Sequence, residues 1–273
     1  MLKLLTQADT GIVLEYLQRN ELETTFLYAN IREFGITNRP EIRRCADYYG
    51  FFAGGSLKGI LPFYNLGSCI PHFETHEAVP YFVELMKKRS FSYLLGMRHV
   101  VAPLFREIKQ TKVCREYKES SYCVNRNFRP FTLEGVTFLD VTGTPDDDIV
   151  DFVLTARVRG FQQQATRADI IKTLLQRGTE EDYLIAVKDG KKVAQACIQT
   201  YTPAVSQIGA VYTAEDERGK GYCKAIVSEL CQRIMARGKM PALSVDKDNL
   251  PALKAYNALG FTHYADYLII TFA

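Results

Sequence analysis

Arg218-Gly219-Lys220-Gly221 stands directly before a run whose apolar positions are Cys223, Ile226, Val227, Leu230, Cys231 and Ile234. That spacing (i, i+3, i+4, i+7, i+8, i+11) is one face of a helix over Tyr222–Arg237. The first turn of a helix leaves about four N–H groups unpaired and carries roughly half a positive charge. Glycines let the preceding loop curl so that its own N–H groups converge, and they remove side chains that would hold a ligand away. Arg218 and Lys220 add charge at the rim. The chemistry this pattern offers is an anion seat suited to a pyrophosphate. On its own, an ordinary strand-to-helix turn would read the same way. Other phosphate loops do not fit: Lys224 stands where a Rossmann turn needs its third glycine, and no G-x-x-x-x-G-K-[ST] occurs.

The elements that must position this loop are legible around it. SQIGAVYT, ending at Thr213, reads as the strand before it. YLIAVKDGKKVAQACIQTYT reads as two strands joined at Asp189-Gly190, a strong hairpin signal. The helix stops at Gly238, a suitable C′ residue. PALSVD is a further strand, Leu250–Leu259 a helix stopped by Gly260, and HYADYLIITF a last strand. Upstream, Phe131–Val141 reads as a strand, Thr144-Pro145 opens a helix with an acidic first turn, and Arg167–Gln176 is a second helix.

IGAVYTAEDERGKGYCKAIVSELC followed by DNLPALKAYNALGF resembles the GNAT acetyltransferase superfamily. The loop motif Q/R-x-x-G-x-G/A is met at Arg218 and Gly221, with Cys223 as a small-residue departure at the last place. The pattern N-x-x-A-x-x-x-Y-x-x-x-G-F is met at Asn249, Ala252, Tyr256, Gly260 and Phe261. The likeness covers roughly residues 180–273. It implies an N-acetyltransferase that uses acetyl-CoA as co-substrate and needs no metal. It also implies that the backbone of Val211, Tyr212 and Thr213 pairs with pantetheine amides, on a strand splayed from its neighbour. Gly209 is compatible with the bulge behind that splay. Gly219, Lys220, Gly221, Tyr222 and Cys223 then hold the pyrophosphate through main-chain N–H groups, with Arg218 adding screened charge.

Attack of an amine on a thioester needs a deprotonated amine, a donor for the charge developing on the carbonyl oxygen, and a proton for the departing thiolate. By the same resemblance Val211 N–H is the oxyanion donor. Tyr256 is the candidate acid, since a phenol of pKa ~10 can donate to a nascent thiolate. A core tyrosine would look the same, because Leu253, Tyr256 and Leu259 share a helical face. Asn249 reads as the cap of the helix begun at Leu250-Pro251, and the family also uses it near the cofactor. No general base stands out. Glu215 is the candidate carboxylate, and a solvated turn residue is its alternative. Cys223 could be a reactive thiol at a helix start or a packing residue that begins the apolar stripe; packing is the favoured reading.

The first half shows no such motif. Residues 7–19 and 22–34 have helical spacing. DYYGFFA and LKGILPFYN flank a Gly54-Gly55 turn, so GGSLKG is a hairpin rather than a phosphate loop. Helices follow at His76–Lys88 and Val100–Lys109, with SYLLG and SSYCVNRN as strands. His72 and His76 do not make a metal pair, because His72 falls before the helix. Both halves therefore read helix, helix, hairpin, strand, helix, strand, helix, strand. The expectation is an α+β chain with a boundary near 129/130. Residues 130–273 form a GNAT-like domain with a mixed, mostly antiparallel sheet. Residues 1–129 are either a degenerate copy without a CoA loop or an unrelated α+β domain. The first half would wall the acceptor site from one side.

Composition narrows the rest. The chain has 273 residues, 47% hydrophobic and 24% charged, with net charge +3. That is enough apolar material for two cores and too little charge to argue for nucleic acid or membrane. Seven cysteines without a CxxC point to reduced thiols and a cytoplasmic location. No apolar run reaches the ~18 residues that span a bilayer. The expected function is acetyl transfer from acetyl-CoA to a primary amine of a small molecule or amino acid. A non-catalytic acyl-CoA sensor and a protein or peptide N-acetyltransferase are the alternatives. The amine's identity and the oligomeric state are not written in the sequence.

Overall fold

The computed structural model describes residues 1–177 and 180–273. The chain divides into two compact units: residues 1–122 with 244–248 and 263–273, and residues 123–243 with 249–262. A single cut at 129/130 does not reproduce them. The chain passes into the second unit at Cys123, and two later segments are counted with the first.

The first unit begins with strand β1 (Leu2–Leu4), followed by helices α1 (Thr10–Arg19) and α2 (Thr25–Phe34). Strands β2 (Ala46–Ala53) and β3 (Ser56–Tyr64) form the expected hairpin. Next come β4 (Ser68–Cys69), β5 (His72–Phe73), α3 (Ala78–Lys88), β6 (Tyr93–Met97), α4 (Arg98–Ile108) and β7 (Cys114–Asn125). The strand order is β1-β2-β3-β5 in one sheet, while β4 pairs in parallel with β6. One apolar cluster gathers Phe82, Leu94, Val101 and Leu104, and a second gathers Tyr16, Leu27, Tyr48 and Ile60. Each such side chain contributes about 1.5–3 kcal/mol by leaving water. β1 is absent from the sequence reading, since three residues on a sheet edge carry too little pattern.

The rest of the chain follows the same order: β8 (Val136–Asp140), α5 (Asp147–Thr155), α6 (Arg167–Leu175), β9 (Tyr183–Lys188), β10 (Lys191–Tyr201), β11 (Val205–Thr213), α7 (Tyr222–Ala236), β12 (Met240–Asp246), α8 (Leu250–Ala258) and β13 (Phe261–Phe272), with the end of β12 and most of β13 counted with the first unit. Its strands run β12-β11-β10-β9-β8. The pairs from β8 to β11 are antiparallel and β11 with β12 is parallel. The sequence of antiparallel and parallel pairs is the one seen from β1 to β6, so the two units repeat one topology. In the first unit the place of β11 is taken by β4 and β5, interrupted at Ile70-Pro71.

Local chemistry explains the element ends. Asp189 and Gly190 both have positive φ (49° and 77°), as a tight two-residue hairpin requires. Thr166 accepts from Asp169 N–H and the Asp169 carboxylate accepts from Thr166 N–H, a capping box at the start of α6. Gly260 closes α8 at φ 95°, and a side chain there would overlap the Asn127 carbonyl. The strand expected over 131–141 is shorter than read. Phe131 N–H is spent on Ser228 Oγ (2.8 Å), and Gly135 turns at φ 70°, so pairing starts at Val136. A cluster of Val150, Ile170, Ile185 and Cys197 packs α5 and α6 on the sheet.

Candidate active site

β11 is built to be irregular. Opposite it on β10, Tyr212 pairs with Gln195 and Gly209 with Cys197, so β11 carries one extra residue between those pairs. The extra residue is accommodated at Ala210, whose φ is 52°, a left-handed conformation that alanine adopts only when its surroundings impose it. The sequence pointed to Gly209 for this bulge. The left-handed residue is its neighbour, and Gly209 serves by leaving room for Gln199, whose amide a Cβ there would strike. Gln195, buried on β10, donates from Nε2 to the Ala210 carbonyl at 3.3 Å. Its Oε1 is buried without a partner.

The bulge coincides with a parting of strands. β11 pairs in parallel with β12 from Val205↔Met240 to Ile208↔Leu243 and no further. From Gly209 through Thr213 the edge of β11 turned away from β10 carries no ladder with β12. Val211, Tyr212 and Thr213 thus lie on a free backbone edge, which can pair with amides of an extended ligand.

The loop that follows supplies an anion seat. Glu215–Glu217 form one 3-10 turn, and Gly219 (φ 81°) and Gly221 (φ 92°) both take left-handed conformations. Gly221 is the N-cap of α7 and offers no side-chain acceptor to the first turn. Among the described residues no backbone acceptor takes the N–H groups of Gly219, Lys220, Gly221, Tyr222, Cys223 or Lys224. A methyl group built on Gly219 meets nothing within 4 Å, so the space over the loop is open. These residues fit a diphosphate such as that of CoA. The rim charges are less available than expected. Lys220 is bonded to Glu217 at 2.8 Å, and Lys191 binds Asp216 (2.5 Å) and Glu217 (2.8 Å). Lys224 lies over the Phe131 ring, 4.2 Å from its centroid. Arg218 has no ion-pair partner among the described residues and remains the free cation of the loop.

Tyr256 and Cys223 meet. α8 buries Tyr256 to 6% exposure, and its hydroxyl is hydrogen-bonded to the Cys223 thiol. Burial, then the neighbouring thiol, pushes the phenol well above its ordinary value, so it stays protonated. Burial pushes Cys223 up to about 11, opposed by the bond from Tyr256, which favours the packing reading over a reactive thiolate. Asn249 caps α8 as read, its Oδ1 accepting from Ala252 N–H at 3.2 Å.

A pocket of about 560 Å³ opens beside Tyr212, with Phe152, Thr155, Arg159 and Glu215 on its wall. The Tyr212 ring stands edge-on to Phe152 (6.0 Å between centroids) and Phe161 (6.4 Å). Gly160 is pressed against that ring, where any Cβ would overlap it. Burial and then Glu215 raise the Tyr212 phenol. The pocket joins Tyr212 and Glu215 to Arg159 and Phe152, which the sequence reading did not single out. The visible signal for Arg159 was the Arg-Gly break in ARVRGF, and for Gln195 a lone amide in the otherwise apolar VAQACI.

The comparisons with known proteins bear on the fold and family. Residues 183–270 match the family model described as FR47-like protein. The chain has the fold of a solved tandem GNAT protein from the clavulanic acid biosynthesis pathway, with TM-score 0.62 and 14% identity over 100% of this chain and 98% of that one. Residues 183–270 are thus similar to an acetyltransferase-type family, and the chain has a GNAT-like fold. A solved Drosophila protein shares this chain's fold at TM-score 0.73 and 10% identity, covering 100% of this chain and 98% of that one. A curated relative, mycothiol acetyltransferase of Corynebacterium aurimucosum, is 40% identical over 62 residues. That match spans 22% of this chain and 20% of the relative. The first GNAT-like unit has Glu74-Thr75-His76-Glu77 between β5 and α3, carboxylates where the second has Gly-Lys-Gly. Among the described residues, no helix is long and apolar enough to cross a membrane.

Proposed function

We propose that the chain is an N-acetyltransferase that moves the acetyl group of acetyl-CoA to a primary amine of a small molecule or amino acid, with residues 130–273 as its catalytic domain. The observation that carries this reading is the run of unpaired amides from Gly219 to Lys224 at the end of a strand edge that has lost its ladder. Acetyl-CoA supplies the activated acetyl thioester. Gly219 to Cys223 hold the diphosphate, and Val211, Tyr212 and Thr213 fix the pantetheine arm by backbone pairing. Arg218 adds charge at the rim, and Asn249 sets the start of α8.

Each protein group then has one proton or charge to manage. Glu215 accepts a proton from the incoming ammonium, leaving the nitrogen lone pair free to form the C–N bond. Val211 N–H donates to the carbonyl oxygen as charge gathers there. As the C–S bond breaks with its electron pair on sulfur, Tyr256 gives its phenolic proton to the sulfur; the new amide nitrogen loses its second proton to solvent, which also reprotonates Tyr256 and deprotonates Glu215. Its raised pKa keeps Tyr256 protonated before the step and favours its reprotonation afterwards. All seven cysteines are free, which suits a reducing compartment, and we place the protein in the cytoplasm.

The test is thiol release from acetyl-CoA against a broad panel of amines and amino acids. The reading predicts acceptor-dependent release with acetylated amine as product. CoA binding without turnover across the panel would instead mark a sensor.

A further inference from the structure

We infer that the pocket beside Tyr212 receives an amino-acid zwitterion, its carboxylate on Arg159 and its ammonium on Glu215. This rests on the acetyl-transfer reading and narrows the acceptor class within it. The pocket wall carries seven charged residues, but most are already paired. Asp148 lies 3.6 Å from Lys192, Asp151 is bonded to Arg167, and Lys191 is bonded to Asp216. Arg159 and Glu215 remain, opposite in sign, and neither has an ion-pair partner among the described residues.

Both remaining charges bear on one ring. Arg159 and Glu215 share the pocket wall with Tyr212, whose phenol burial and then Glu215 raise and Arg218 and Arg159 lower. Arg159 is held there by the backbone. It lies in the single π-turn Ala156–Gly160 at the end of α5, and Gly160 is in contact with the Tyr212 ring. Such turns insert one residue into a helix and re-aim its neighbours. A guanidinium offers a planar pair of donors that matches a carboxylate. Phe152 and Tyr212 give an aromatic surface for the rest of the molecule and for the cation. A simple amine would leave Arg159 unanswered and a simple acid would leave Glu215 unanswered; a zwitterion satisfies both.

The experiment pairs each amino acid with its decarboxylated amine, in wild type, Arg159→Gln and Glu215→Gln. Thermal shift with CoA present reports binding, and thiol release reports transfer. For wild type we expect the amino acid to be favoured over its amine by about tenfold, the size of one good charge-assisted contact. In Arg159→Gln that preference disappears while calorimetric affinity for CoA stays within about twofold, since the pocket charge is not part of the phosphate seat. Glu215→Gln loses the thermal shift given by both members of each pair. Equal treatment of the pair by wild type, or a preference kept in Arg159→Gln, overturns the inference. So does an Arg159→Gln variant that loses affinity for CoA but not for dephospho-CoA, which would assign Arg159 to the cofactor's phosphate. If thiol release fails for every acceptor while amino acids alone still shift the melting curve, the transfer reading falls and the zwitterion site stands. If release occurs only with amines lacking a carboxylate, the reverse holds.

Discussion

Gln195 Nε2 reaches across from β10 to the carbonyl of Ala210, the one residue of β11 in a left-handed conformation. The contact ties a buried side chain to the bulge that immediately precedes Val211. Gln195→Met keeps the side-chain length and removes both the donor and the unpartnered Oε1. The substitution leaves the Ala210 carbonyl without that donor, at a cost of about 1–3 kcal/mol. We predict that kcat falls about tenfold, as for loss of one oriented contact worth ~1.4 kcal/mol, while KM for acetyl-CoA changes little. Equal losses in melting temperature and in kcat would make Gln195 a packing residue only.

Tyr256→Phe should lower kcat by about 100-fold or more, the usual worth of a positioned acid, with KM for acetyl-CoA nearly constant. The ring and its contact with Phe261 (6.0 Å between centroids) are retained, so folding should survive. An unchanged rate at saturation would remove Tyr256 from the chemistry.

Glu23 in the first unit accepts from three directions: His99 Nε2 at 3.0 Å, His72 Nε2 at 3.3 Å and Tyr264 hydroxyl at 2.9 Å. Tyr16 stands behind His72, with its hydroxyl 2.5 Å from Nδ1. Burial alone would raise the Glu23 carboxyl, but the bonds from His72 and then His99 outweigh it and hold it well below the usual range. The bond to Glu23 raises His99 above its ordinary 6.5. The signs differ. The Glu23 contribution is present above the ordinary value of 4.5 and is lost as pH falls through its depressed folded value. The His99 contribution is full below 6.5 and is lost as pH rises through its raised folded value. Unfolding temperature should therefore decline on the alkaline side in wild type and lose that part of the decline in His99→Gln. Identical pH profiles for the two proteins would contradict this.

Much of the second unit could be read from residues, because its signals are local. Asp189-Gly190, the stripe from Cys223 to Ile234, and Asn249 with Pro251 each fix an element through neighbours a few positions away. The bulge was half legible. Gly209 marks the spot, but the choice of Ala210 as the left-handed residue depends on Gln195 and Gln199 across the ladder, which no window along β11 contains. Arg159 escaped for the same reason, since its placement depends on a π-turn and on Gly160 meeting the Tyr212 ring. The pairing of Lys220 and Lys191 with Glu217 also lies beyond spacing. The short β1 and the division of β4 from β5 are set by tertiary pairing rather than by propensity.

The central claim is that main-chain amides from Gly219 to Cys223 bind the diphosphate of CoA. Calorimetric titration of CoA into the intact protein, beside Gly221→Asp, tests it most directly. The account predicts saturable heat for wild type and at least about a 30-fold weaker affinity for the variant, ~2 kcal/mol for a carboxylate set against the phosphates. No heat with folded, monodisperse wild-type protein, or equal affinity in a folded variant, would contradict it.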